Sequence, residues 1–246
     1  MKNATVVIFL LFLSLLAPAT AQSLDELFDA VRAGRADVVE GAIRAGADLS
    51  ATRAGGVTLL MEAAMRNQIE IARLLLAGGA KVNASSQSGL TALMAAAGNG
   101  HKDMAALLLD NGAAIKLRSE QGFSALEYAA GYGRAEMVAL LIERGAEANG
   151  RNRQGWTALM SAASDGHAAV IRVLLDRGAE VDARDESGKT ALMCAALNGH
   201  RDAVQVLLER NADPAIQDKS GQTAAALAKG MGYEEIARQI EEHVHQ

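Results

Sequence analysis

A hydroxyl-bearing residue recurs every 33 residues along this chain, each time ahead of a similar short run. The runs are Thr58-Leu59-Leu60-Met61, Thr91-Ala92-Leu93-Met94, Ser124-Ala125-Leu126-Glu127, Thr157-Ala158-Leu159-Met160, Thr190-Ala191-Leu192-Met193 and Thr223-Ala224-Ala225-Ala226. A fixed period of roughly 20–50 residues marks a solenoid, in which each unit leans on its neighbours, and not a globule around one core. Such an array offers an elongated surface and rarely a buried catalytic pocket. Binding is therefore the first expectation for its function.

One unit, Gly155 to Ala179, shows the logic. Thr157 is placed to cap a helix, its hydroxyl accepting from a free amide of the first turn. Leu159, Ala162 and Ala163 share one face at helical spacing. Asp165-Gly166-His167 breaks that helix, and a second runs from about Ala168 to Arg177. Three positions recur in phase as glycine. One precedes the first helix, at Gly56, Gly89, Gly122, Gly155, Gly188 and Gly221. One sits in the mid-repeat turn and one ends the second helix. The two exceptions, Asn67 and Asn211, are the residue type that best tolerates positive φ after glycine, which points to a backbone requirement. The first helix carries paired alanines such as Ala96-Ala97 and Ala162-Ala163. The second carries paired leucines such as Leu107-Leu108 and Leu174-Leu175. A narrow row stacked beside a wide row curves the array, with the concave side expected along the alanine helices.

The run Gly89-Leu90-Thr91-Ala92-Leu93-Met94-Ala95-Ala96-Ala97, followed by Gly100-His101, Leu107-Leu108 and Gly112-Ala113, resembles the ankyrin repeat. The resemblance implies an all-α ankyrin repeat solenoid of about seven 33-residue helix–turn–helix repeats with β-turn tips. Residues 22–246 form the expected repeat domain, with units at about 24–56, 57–89, 90–122, 123–155, 156–188, 189–221 and 222–246. Two departures are systematic: the family's proline in the first turn is alanine here, and its histidine two residues on is usually methionine. The end units are atypical, as caps of an array should be.

The first 21 residues stand apart. Lys2 precedes an apolar run from Val6 to Leu16, and Pro18-Ala19-Thr20-Ala21 follows. Residues 1–21 therefore read as a signal peptide with cleavage expected after Ala21. The apolar run is short against the roughly 20 residues that span a bilayer. The expected destination is the periplasm or the extracellular space. Cys194 is the only cysteine, so no internal disulfide is expected. The net charge is −5, and −6 without Lys2, with both signs mixed along the chain. This lacks the basic stripe of nucleic-acid binding and the polybasic face of membrane-surface binding.

Other chemistry is not called for by the pattern. His101, His167 and His200 recur at equivalent positions, about one helix-packing distance of roughly 10 Å apart, whereas a metal needs its ligands within about 2–2.5 Å. They match the family's structural Gly-His turn. Met61, Met94, Met160 and Met193 read as core. Cys194 reads as a small, half-buried thiol between repeats. No catalytic residue, cofactor or metal site is expected, and no enzyme activity.

In ankyrin proteins, partners usually contact the turn tips and the exposed residues of the first helix on the concave side. Carried over by position, this gives Arg66, Asn99, Tyr132 and Asp165 before the mid-repeat turn. It also gives Phe123, Trp156 and Lys189 ahead of the capping residue, and Arg118, Arg151 and Arg184 at the tips. Only 3% of residues are aromatic, so Phe123, Tyr132 and Trp156 on adjacent units stand out. Aromatics and arginines are common binding hot spots. Phe123 and Trp156 serve equally well to shield the turn between repeats, and the arginine row more readily serves to balance the acidic tips. The resemblance implies an exported bacterial ankyrin protein, a group with some members associated with peroxide defence. It would bind another protein through its concave face and be monomeric when unbound. An inhibitor or immunity protein that blocks a toxic secreted enzyme is the alternative.

Overall fold

The computed structural model describes residues 23–244; the expected signal peptide lies outside them. Among the described residues, seven helix pairs follow one another. They are α1 (Leu24–Arg32) with α2 (Ala36–Arg44), α3 (Leu59–Met65) with α4 (Ile69–Ala77), and α5 (Ala92–Asn99) with α6 (Lys102–Asp110). Next come α7 (Ala125–Gly131) with α8 (Ala135–Glu143), and α9 (Ala158–Ser164) with α10 (Ala168–Asp176). The last are α11 (Ala191–Leu197) with α12 (Arg201–Glu209), and α13 (Ala224–Gly230) with α14 (Glu234–Val244). This is the expected helical solenoid.

The recurring hydroxyl starts each first helix. The Oγ1 atoms of Thr58, Thr91, Thr157, Thr190 and Thr223 accept from the amide three residues on, at 3.2–3.4 Å. Ser124 accepts from Leu126 at 3.2 Å and forms a capping box with Glu127. The first unit lacks the threonine motif, yet Ser23 and Glu26 build a capping box of their own. That cap is legible as Ser-x-x-Glu and escaped the 33-residue pattern because it is out of phase with it. Asn67 and Asn211 have φ of 56° and 61°, in line with the positive φ of the glycines at the same positions in other units.

One hydrophobic core runs the length of the array. Its inner half is made of α3, α5, α7, α9 and α11, where paired alanines are fully buried and Met61, Met94, Met160 and Met193 fill the space beside them, and of α13. Its outer half is made of the leucine-bearing helices. First helices of adjacent units approach more closely than second helices do. Small side chains permit that approach, and the difference curves the array toward the alanine helices.

The tips are short hairpins. Strands β1 (Thr52–Arg53) and β2 (Val57–Thr58) pair antiparallel around a turn of 3-10 helix, Ala54–Gly56. Single bridges Ser85–Thr91 and Arg151–Thr157 repeat the motif. Backbone bonds stitch successive tips: Gln87 to Gly55 (2.8 Å), Glu120 to Ser88 (3.0 Å), Glu186 to Gln154 (2.8 Å) and Lys219 to Ser187 (2.9 Å). Among the described residues the equivalent stitch from Arg153 to Gln121 is missing. On the outer side, Arg144, Arg177 and Arg210 reach back to Asp110, Glu143 and Asp176 of the preceding unit. Such exposed pairs contribute little each, but they are set by the repeat phase.

Candidate functional site

The concave face carries a groove of about 430 Å³ between the fourth and fifth units. Phe123, Tyr128 and Tyr132 line it from the α7 side, and Trp156, Ser161 and Asp165 from the α9 side. Small residues open it. At the last turn of the first helix, consecutive units have Gly98, Gly131 and Ser164, where the flanking units have Met65 and Leu197. A Cβ built at Gly131 would lie 3.5 Å from Oδ2 of Asp165, so that carboxylate hangs over the space glycine leaves. The groove sits beside the tips whose stitch is missing, Gln121 on one side and Arg153 on the other.

Its aromatic walls are held in place. Phe123 and Tyr128 meet edge to face, with centroids 6.2 Å apart. Trp156 Nε1 donates to Ser161 Oγ at 2.9 Å, and that hydroxyl donates onward to the Thr157 carbonyl at 3.3 Å. The indole is thus anchored by its polar edge, and the residue as a whole is half-buried. Tyr132 is 61% exposed, the most exposed of the large hydrophobic side chains described. It stands as a ridge between this groove and a second one of about 380 Å³, bordered by Met65, Leu90, Met94, Gly98 and Asn99. The Tyr132 ring approaches Gly98 closely; a Cβ there would meet it at 3.2 Å.

The proposed contact residues therefore divide. Phe123, Tyr132, Trp156 and Asp165 come together on one groove, and Asn99 joins Tyr132 on the other. Arg66, Arg118, Arg151, Arg184 and Lys189 border neither groove. The arginines have structural partners instead. Arg118 donates to the Gly122 carbonyl at 2.7 Å and to Glu127 at 2.9 Å. Arg151 donates to the Arg184 carbonyl at 2.7 Å, and Arg184 to the Gln217 carbonyl at 2.6 Å, each one unit on. Arg66 joins Arg32 and Arg53 around Glu62, which is only 1% exposed. Arg53 sits 2.5 Å from Oε2 of Glu62, an ion contact out of line for a hydrogen bond.

Glu62 and Glu127 are first-helix carboxylates buried in the array, and arginines neutralise both. A charge out of water needs such a partner. Glu127 is 4% exposed, stands where other units have methionine, and forms part of the groove. Neither it nor Tyr128 is among the expected contact residues, although a polar residue breaking the methionine phase and a tyrosine one turn before Tyr132 are both signals in the sequence.

The recurrent histidines have a positive role. His101, His167 and His200 place Nε2 at 3.2, 2.8 and 2.8 Å from the carbonyls of Met65, Gly131 and Ser164, the last residues of the preceding first helices. A carbonyl only accepts, so each Nε2 carries the proton and closes a helix end. Arg134, at the same position, does this with Nε to the Gly98 carbonyl at 3.0 Å. Cys194 is buried at 3% exposure, tighter than the half-buried setting expected. Burial first, and the nearby Asp185 second, push its thiol up to about 12, with Lys189 opposing. No group of three or more His, Cys, Asp or Glu side chains placed to hold a metal occurs among the described residues. Likewise, no described helix is long and apolar enough to cross a membrane.

A family model described as ankyrin repeats, in three copies, matches residues 27–119, 79–152, 116–185 and 181–243. No curated protein matched the chain. The family matches overlap to span nearly all the described helices, and the capped, Gly-His-closed helix pairs repeat through the same stretch. The chain belongs to the ankyrin-repeat family.

Proposed function

We propose that this protein is an exported, non-catalytic scaffold that binds another protein through the two concave grooves flanking Tyr132. Ankyrin repeats are generally protein–protein interaction scaffolds and typically non-catalytic. The observation that carries the choice of face is the gathering of Phe123, Tyr128, Tyr132 and Trp156 on one groove in a chain only 3% aromatic. Aromatics in a concave, partly desolvated setting are the residues that most often dominate a binding interface.

Two substitutions test this without disturbing the fold. Tyr132→Ala removes an exposed ridge. Gly131→Ala adds a methyl at ordinary contact distance from Asp165 and Ser161, and narrows the groove while removing a helical glycine. With immobilised mature chain and an envelope extract, Tyr132→Ala is expected to reduce partner capture about tenfold, a hot-spot effect. Gly131→Ala is expected to weaken capture at equal or higher melting temperature. Unchanged capture by both variants would move the docking face elsewhere.

Export rests on the Lys2, Val6–Leu16 and Ala19–Ala21 pattern. Mass spectrometry of protein from the producing cell should give an N-terminus at Gln22; an intact Met1 would refute it. Any part in peroxide defence would run through the bound partner and not through Cys194, since thiolate is the reactive form and burial holds this thiol protonated. If the captured partner is a secreted enzyme silenced by binding, the inhibitor reading replaces the scaffold one.

A further inference from the structure

We infer that the groove between Tyr132 and Trp156 is an arginine-side-chain receptor, engaging a guanidinium on the surface of the partner protein. This rests on the docking reading and adds the chemistry of the occupant. Three observations lead there.

The first is the charge inside the groove. Two carboxylates border it, and they are not equivalent. Glu127 is already answered by Arg118 and by the Ser124 amide and hydroxyl. Asp165 is exposed, and among the described residues it has no ion pair and no side-chain hydrogen bond. Neighbouring basic side chains are engaged elsewhere: Arg134 donates to the Gly98 carbonyl and His167 to the Gly131 carbonyl, while Arg153 at the tip is exposed. One negative charge is left over at the groove.

The second is the walls. The faces of Phe, Tyr and Trp rings carry negative potential and attract a cation placed over them. Four rings line the groove beside a carboxylate without an ion pair, in a chain whose net charge is −5. A neutral apolar side chain would use the rings and leave Asp165 without an answer. An acidic side chain would be repelled.

The third is shape. The groove is an open slot between two helices and not a closed cage. A guanidinium is flat, stacks on aromatic faces and presents a fork of N–H donors that matches a carboxylate, whereas an ammonium is a compact, strongly hydrated point charge. Lysine would satisfy the charge and forgo the stacking.

Trp156 is the only tryptophan, so its emission reports this groove directly. Full mature protein is titrated with acetyl-Gly-Arg-Gly-amide, with the lysine peptide, and with the citrulline peptide, which keeps the shape and loses the charge. The arginine peptide is expected to shift Trp156 emission saturably. The lysine peptide should bind about threefold more weakly and the citrulline peptide about tenfold more weakly, as expected for a desolvated cation over aromatic rings. Asp165→Asn, an exposed and nearly isosteric change, should weaken the arginine peptide about fivefold and reduce its salt dependence.

Equal binding of citrulline and arginine, full binding by Asp165→Asn, or no emission change up to about 10 mM peptide, the limit of millimolar affinity, overturns the assignment. The docking reading is read separately. If Tyr132→Ala loses the natural partner while Asp165→Asn keeps it, the face stands and the arginine receptor falls. If both variants keep the partner, both fall.

Discussion

Cys194 lies on α11 among residues that are almost entirely enclosed, and the upward push on its pKa has a consequence for stability. An unfolded thiol ionises near about 8.5. The folded thiol, pushed up to about 12, holds its proton longer, so the folded state binds more protons between those values. Its contribution is complete below the unfolded value and is lost as pH rises through the folded one. The denaturation midpoint should therefore fall more steeply between pH 9 and pH 11, about the interval separating the two values, in the wild type than in Cys194→Ala. Parallel slopes would mean the thiol is more solvated than its burial implies. Two other single residues, Glu62 and Glu127, are buried polar groups with ion-pair partners. Arginines come to both, which is why Arg66 and Arg118 serve the fold as well as facing solvent.

Repetition at the scale of helix and turn makes the cost of a residue depend on what the next unit places opposite it. Gly155 and Gly221 occupy the same repeat position with the same φ of 75°. A Cβ on Gly155 would meet Asp185 Cα and Glu186 N at 3.1 Å, backbone atoms of the next tip, whereas one on Gly221 meets nothing within 4 Å. Both alanine variants carry the left-handed penalty of about 1–2 kcal/mol. Gly155→Ala should be the more destabilising by at least about 1 kcal/mol in urea denaturation, the usual scale of an overpacking penalty. Equal losses would indicate that the tips move apart freely. The caps from Thr58 onward, the turns and the glycine positions were legible from the 33-residue phase. The missing stitch at Arg153 was not, because its donor and acceptor are backbone atoms that any sequence supplies.

Over the whole molecule, helices pack within a unit and against the adjacent unit. Stability is then close to a sum of unit and neighbour terms. Removing residues 222–246 uncovers the surface against which Ala224, Ala228, Ala237 and Ile240 are buried. The shortened chain should denature at a lower midpoint, yet keep the Trp156 emission of the full chain, because the groove lies further along the array. Loss of the native Trp156 signal in buffer would show that the array is one cooperative block. Curvature also belongs to this scale, since it comes from the closer approach of alanine helices summed over the stack.

The sequence by itself determined the period, the helix pairs, the capping residues, the left-handed turns and the scaffold nature of the repeated histidines and methionines. Each follows from local chemistry repeated in phase, and repetition separates scaffold from the rest. It also marked Phe123, Tyr132, Trp156 and Asp165 as residues that vary at exposed positions. Only the tertiary structure decided that these four share one groove while the arginines turn to carbonyls and buried carboxylates. The reason is that a groove is made by side chains from different units and by the absence of side chains at Gly98 and Gly131. The place where a long side chain ends depends on which partner lies within its reach, and that is set by how the units stack.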